Sequence, residues 1–144
     1  MADSRVRVKA KSENGTKTIV QAKAFTMIID EPASLGGTND GANPLEYLLA
    51  ALSGCLNVVS HMVAKEMGFT LRGLEIEIEG NLNPAKYMGI SDAERTGLKE
   101  VRVKIKPDAD ADELTLKTWM KTVENRCPVS DNIANATPVQ ITLA

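Results

Sequence analysis

Residues 43–68 read NPLEYLLAALSGCLNVVSHMVAKEMG, and this stretch decides the fold. Its apolar residues recur every three or four positions, which is the spacing of a helix with one buried face. Asn43 can cap the helix, Pro44 suits its first position, and Glu46 completes a capping box. Gly68 is a natural stop. The stretch therefore predicts one helix about 36 Å long at 1.5 Å per residue.

A helix of that length exceeds the diameter of a small domain, which is about 30 Å. It must therefore run through the middle of the fold or through a dimer. Cys55 lies at its midpoint, on the edge of the apolar stripe.

Length and composition are those of a globular protein. The chain has 144 residues, of which 43% are hydrophobic and 25% charged, with a net charge of −2. This predicts one domain, 1–144, that binds no nucleic acid. The absence of a continuous apolar run of about 18 residues predicts no membrane span, and the charged N-terminus is unlike a signal peptide. We therefore expect a cytoplasmic protein.

The segments before the helix predict antiparallel strands. Apolar and charged residues alternate over 5–10, Asn14-Gly15 suits a tight hairpin turn, and the return arm, 18–29, holds one strand or two. The Gly-rich loop 31–41 lacks the P-loop and dinucleotide fingerprints. A flexible loop is therefore a better interpretation than a phosphate site.

After the helix, one segment alternates apolar residues with glutamates and a later one alternates them with basic residues (Glu75, Glu77 and Glu79; Arg102, Lys104 and Lys106). Opposite charges stabilise cross-strand pairs, so the two segments are predicted to be antiparallel neighbours. The long excursion between them, 81–97, is predicted to be partly helical over 91–95.

The last third of the chain predicts two helices and a strand. Asp110 is the expected cap of a helix that ends near Arg126, because the residue before Pro128 is driven out of the helical region. Cys127 then caps a short helix, and apolar residues alternate over 139–143 as a last strand. Strands that precede and follow helices in this order predict an α+β fold with an antiparallel sheet.

Two cysteines are the candidates for chemistry. In a reducing compartment, two cysteines are more typical of free thiols or a redox pair than of a structural disulfide. Two cysteines and one histidine are too few for a four-ligand zinc site. Cys55 alone is more typical of a core residue. Cys127 sits at a helix N-terminus, which favours a thiolate, and Arg126 can add positive charge. His61 lies about 240° round the helix from Cys55, so it is not expected to be the base for that thiol. Spacing leaves open whether the cysteines meet.

The segments GGTNDGANPLEYLLAALSGC and RCPVSDNI resemble the OsmC/Ohr family, named for osmotically inducible protein C and organic hydroperoxide resistance. The resemblance covers the whole chain and implies an OsmC-like fold, with a long central helix and an antiparallel sheet. It also implies an intertwined homodimer whose active sites are shared at the subunit interface.

The resemblance further implies a thiol-dependent peroxidase that acts in oxidative-stress defence. Cys55 would be the thiolate that attacks an organic hydroperoxide and becomes a sulfenic acid. Cys127 would resolve it to a disulfide, which a small dithiol such as a lipoyl group would reduce. The resemblance implies no metal and no nucleotide cofactor.

Two features depart from the efficient peroxidases of that family, which pair a hairpin arginine with a glutamate directly after the helix proline. The first hairpin turn here, SENGTK, has no arginine, and Leu45 follows Pro44. Glu46 is the possible supporting carboxylate, but nine residues place it about 180° round the helix from Cys55. Its capping role explains it without catalysis.

Two other functions remain open. In one, the same scaffold is a carrier that binds a small lipid-like or thiol ligand, and the cysteines only pack. In the other, the protein is a thiol–disulfide oxidoreductase that acts on other proteins, although the usual Cys-x-x-Cys motif is missing.

Overall fold

The computed structural model describes all of residues 1–144. Its helices and strands follow an α+β order, as the sequence predicts: β1 (Lys9–Ser12), β2 (Thr18–Ala22), β3 (Phe25–Ile29), α1 (Pro44–Met67), β4 (Thr70–Asn81), β5 (Glu100–Asp110), α2 (Glu113–Arg126) and α3 (Pro128–Ala134). The chain divides into two compact units, 1–50 and 51–144, which we describe in turn. That the whole chain acts as one domain stays a prediction.

The first unit contains an antiparallel sheet in the order β1-β2-β3. Asn14 organises the hairpin between β1 and β2, because its side-chain oxygen accepts hydrogen bonds from the backbone N–H groups of Thr16 and Lys17. The hairpin predicted at Asn14-Gly15 is confirmed, although its loop spans the five residues 13–17 rather than a tight two-residue turn. The return arm is two strands. The first strand, however, begins only at Lys9. Val6 lies outside it and is exposed, because no apolar face in this unit covers it.

The Gly-rich loop after β3 is organised by Asp30, whose side chain is buried. Its carboxylate accepts hydrogen bonds from the backbone N–H groups of Glu31 and Asp40 at 2.8 and 3.2 Å, and from the Thr38 hydroxyl at 2.6 Å. A Cβ atom at Gly37 would overlap the carbonyl group of Glu31, so the loop needs glycine there. The interpretation of 31–41 as a flexible loop missed this network.

Helix α1 has the predicted extent. The Asn43 side chain accepts a hydrogen bond from the backbone N–H of Glu46, and the Glu46 carboxylate accepts one from the backbone N–H of Asn43, both at 2.8 Å. This is the predicted capping box. Gly68 ends the helix with a φ of +77°.

By length and composition, α1 is also apolar enough to cross a membrane, although its apolar residues do not form a continuous run. The core helix of a soluble protein passes the same test. This property is therefore weak evidence for a membrane span.

In the second unit, β4 and β5 form an antiparallel pair with the predicted charge complementarity. Glu75, Glu77 and Glu79 lie opposite Lys106, Lys104 and Arg102, respectively. The Arg102 guanidinium contacts the Glu79 carboxylate at 2.9 Å. The acidic and basic rows of the sequence therefore fix this register.

The core of the second unit lies between α1 and α2. The Trp119 indole N–H donates a hydrogen bond to the carbonyl of Ser60 at 2.9 Å, and the Phe69 ring meets the Trp119 ring edge-on with centroids 6.1 Å apart. The buried cluster comprises Leu52, Leu56, Val59, Val63, Ala64, Trp119, Val123 and Cys127.

Three predictions in this unit were wrong. The cap of α2 is Asp112 rather than Asp110, because β5 continues through Asp110. Residues 91–95 form no helix, and the excursion instead turns over 84–89. The last strand is absent, since residues 139–143 pair with no strand and their apolar side chains are exposed.

Candidate functional site

Cys127 is the single residue between α2 and α3. Its backbone is extended, with φ −80° and ψ +109°, as expected for a residue that precedes proline. Its sulfur accepts a hydrogen bond from the backbone N–H of Ser130 at 3.5 Å. The predicted cap of α3, with Pro128 in the first helical position, is confirmed.

Burial controls the acidity of Cys127, whose side chain is 1% exposed. Loss of hydration raises the pKa of the Cys127 thiol, and the neighbouring Cys55 thiol raises it further. The backbone N–H groups of Ser130 and Val129 lower this pKa, but by less than burial raises it. Desolvation therefore outweighs the helix N–H groups, which favour a thiolate at this position.

The structure brings the two cysteines together, which the sequence could not establish. Cys55 lies on α1, is half-buried and packs against the core cluster that contains Cys127. Both cysteines are free thiols. They differ in environment, because one is partly accessible and the other is enclosed.

Arg126 does not supply a free positive charge beside Cys127. Its guanidinium binds the Glu66 carboxylate through two contacts, Nη1 to Oε2 at 2.5 Å and Nη2 to Oε1 at 3.1 Å. Glu66 lies in the last turn of α1 and neutralises this charge. No local motif marks Glu66, since the two residues are 60 positions apart in the sequence.

The other candidate side chains have structural partners. The Glu46 carboxylate is engaged in the capping box with Asn43. His61 contacts the carbonyl oxygen of Asn57, one turn earlier in α1, through Nδ1 at 2.9 Å. These contacts agree with the capping role predicted for Glu46 and give His61 a partner within its own helix.

A cavity of about 710 Å³ opens in the second unit. Leu52 and Leu56, which flank Cys55 in the sequence, form part of its wall, and Ser130 and Ile133 contribute from α3. Its remaining apolar lining comes from Leu98, Val101, Val103, Ile105, Met120 and Ala134.

Charged side chains also line this cavity. Arg95 and Lys99, from the end of the excursion between β4 and β5, contribute together with Glu100 and Glu124. Arg95 donates a hydrogen bond to the carbonyl of Leu98 at 2.8 Å, which closes the loop on itself. The excursion therefore forms part of the cavity wall.

Two adjacent thiols, one partly accessible and one enclosed, can interconvert with a disulfide when an oxidant reaches the accessible sulfur. An α+β fold with such a thiol pair is the class that the structure defines. The family model described as OsmC-like protein matches residues 37–142. The chain belongs to the OsmC-like family.

Comparisons with individual proteins agree with this assignment. YmaD, an uncharacterized protein of Bacillus subtilis strain 168, is 28% identical over 145 residues, which cover 98% of this chain and 94% of YmaD. An OsmC-like protein from Mycoplasma pneumoniae superposes with a TM-score of 0.81 at 19% identity, covering 92% of this chain and 89% of that one.

A third similar protein is an organic hydroperoxide resistance protein, OsmC, from Legionella pneumophila. It superposes with a TM-score of 0.68 at 18% identity, covering 92% of this chain and 91% of that one. At this level of identity, both solved structures establish the fold alone.

Proposed function

We propose that this protein is a two-cysteine peroxidase that reduces organic hydroperoxides in oxidative-stress defence. The observation that carries the proposal is the contact between Cys55 and Cys127 in the second unit. Family membership and the similarity to an organic hydroperoxide resistance protein support it.

In the first step, the Cys55 thiolate attacks one peroxide oxygen and the O–O bond breaks. The other oxygen leaves with the electron pair and takes a proton, so the products are an alcohol and a Cys55 sulfenic acid. In the second step, the Cys127 sulfur attacks the Cys55 sulfur, which forms the disulfide and releases water. A small dithiol of the lipoyl type then reduces the disulfide and is itself oxidised.

The different environments of the two thiols support this division of roles. Cys55 is half-buried and therefore partly accessible, whereas Cys127 is enclosed. Burial raises the pKa of Cys127 and disfavours its thiolate, which supports assigning the attack on peroxide to Cys55 rather than to Cys127.

The proposal includes a homodimer with shared sites, located in the cytoplasm. Val58 and Met62 of α1 are exposed, as is the apolar row over 139–143, and a second copy of the chain would cover them. A reducing compartment would supply the dithiol that returns both cysteines to thiols.

The direct test is a thiol titration with intact-mass analysis before and after one equivalent of cumene hydroperoxide. We expect rapid loss of both thiols and of two hydrogen atoms in mass, reversed by dihydrolipoamide. Cys127→Ser should stop at the sulfenic acid of Cys55, and Cys55→Ser should consume no peroxide. Survival of both thiols in the unsubstituted protein would overturn the proposal.

A carrier of small apolar ligands is the second candidate, and the apolar part of the cavity wall favours it. Under this alternative, the cysteines only pack, and cumene hydroperoxide would leave them as thiols. The same titration therefore separates the two functions.

A further inference from the structure

We propose that Glu66 and Arg126 form a positioning pair that holds Cys127 against Cys55 and thereby speeds closure of their disulfide. The role of this step in peroxide turnover rests on the proposed function above. The positioning itself is a property of the thiol pair and can be measured without peroxide.

The pair connects the two helices that carry the thiols. Arg126 is the last residue of α2 and directly precedes Cys127, whereas Glu66 lies near the end of α1, the helix that contains Cys55. Two N–H···O contacts of a guanidinium to one carboxylate fix both distance and orientation, unlike a single point contact.

Disulfide formation depends strongly on the distance and the relative orientation of the two cysteines. The two Cα atoms must lie about 4.4–6.8 Å apart with a defined dihedral angle about the S–S bond. A small displacement of the end of α2 relative to α1 would therefore move Cys127 out of range. The side chain that fixes this end acts on the reaction without touching the reacting atoms.

The other contacts that join α2 to α1 lie farther from Cys127. The Trp119–Ser60 hydrogen bond is eight residues earlier, about 12 Å along a helix at 1.5 Å per residue. Val123 is fully buried in the core one turn before Cys127. Of the polar contacts between α1 and α2, the ion pair is thus the one nearest to Cys127 in the sequence. It lies at the helix terminus, where backbone carbonyls lose their partners and the last turn frays.

The test compares Glu66→Gln with a matched control. Glu113→Gln also removes a carboxylate from an ion pair of α2, with Lys117 at 3.1 Å, but that pair lies within the helix and does not reach α1. Both variants are oxidised with diamide, which accepts the two thiol hydrogen atoms. Disulfide closure is followed by mass analysis, and its equilibrium is measured against dithiothreitol.

We expect Glu66→Gln to close the disulfide a few-fold more slowly, up to about fivefold, and to hold it less stably by a similar factor, as expected for an exposed ion pair with two contacts. Glu113→Gln should match the unsubstituted protein. The double exchange Glu66→Arg with Arg126→Glu should recover most of the loss, which a general loss of stability would not allow.

A parallel measurement uses cumene hydroperoxide and dimedone, which traps the sulfenic acid. The first oxidation of Cys55 should keep its rate in Glu66→Gln, while the trapped sulfenic acid increases because resolution is slower. Unchanged closure in Glu66→Gln, or equal losses in Glu66→Gln and Glu113→Gln, would overturn the positioning role. If diamide gives the expected pattern but peroxide leaves Cys55 unreacted, the positioning stands and the peroxidase proposal fails.

Discussion

The indole N–H of Trp119 reaches across the core of the second unit to the backbone carbonyl of Ser60, at 2.9 Å. That carbonyl belongs to α1, so a side chain of α2 is bonded to the backbone of the helix that carries Cys55. Trp119 is 1% exposed, and it combines this hydrogen bond with edge-on packing against Phe69.

Trp119→Phe should lower the free energy of unfolding by about 1–3 kcal/mol, because it leaves the Ser60 carbonyl short of one partner and removes buried volume. Urea unfolding followed by circular dichroism measures the change. Tyr87→Phe is the control, since Tyr87 is exposed and should leave the midpoint unchanged. Equal midpoints for both variants would contradict the structural role of Trp119.

The hydrogen bonds to Asp30 predict a pH dependence of stability. The Thr38 hydroxyl and backbone N–H groups lower the pKa of Asp30 in the folded state. A lowered pKa stabilises the fold above the pKa of the unfolded chain, about 3.9, and this stabilisation is lost as the pH falls below it. Asp30→Asn should therefore be less stable at pH 7 and lose less stability between pH 5 and pH 2.

The measurement is thermal unfolding across this pH range, with Asp3→Asn as the control, because Asp3 is exposed and lies outside every strand and helix. Parallel pH profiles for Asp30→Asn and the unsubstituted protein would show that Asp30 does not titrate as described.

Gly37 and Gly15 form a matched pair of glycines in the first unit. An added Cβ at Gly37 would overlap the carbonyl of Glu31, whereas at Gly15 it meets nothing within 4 Å. We expect Gly37→Ala to cost more than about 1 kcal/mol of stability and Gly15→Ala to stay within about 0.5 kcal/mol, measured by urea unfolding. A reversed order would contradict the geometry of the loop.

The two thiols should differ in their reaction with iodoacetamide. Cys127 is enclosed and its pKa is raised, so at pH 7 the label should enter Cys55 first and Cys127 only slowly. Peptide mapping of the alkylated protein gives the two rates. In urea, both cysteines should react at similar rates, and a persistent difference there would show that the protein environment is not its cause.

The sequence predicted most helices and strands because their signals are local. Two of these signals lie within a few residues: the capping box at Asn43 and Glu46 and the turn at Asn14-Gly15. A third is the pair of oppositely charged rows on β4 and β5, which face one another in a simple pattern. The terminal strands predicted at 5–10 and 139–143 were not found as predicted, because alternation shows that a segment can pair but not which strand it pairs with.

The site was only partly predictable. The two cysteines were identified from their contexts, but the meeting of α1 and α2 that joins them depends on contacts between residues far apart in the sequence. The partner of Arg126, the acceptor of Trp119 and the enclosure of Cys127 all arise from this packing. The acidity of Cys127 was not predictable for the same reason, since burial cannot be read from a helix cap.

Cys127 alone separates α2 from α3, which makes this residue a pivot. Any rotation about its backbone bonds swings α3, with the part of the cavity wall that it carries, and turns the sulfur at the same time. Backbone motion at Cys127 therefore moves the thiol and that wall together. An insertion of a single residue between Arg126 and Pro128 would preserve both helices. It would still uncouple the movement of α3 from the position of the reacting sulfur.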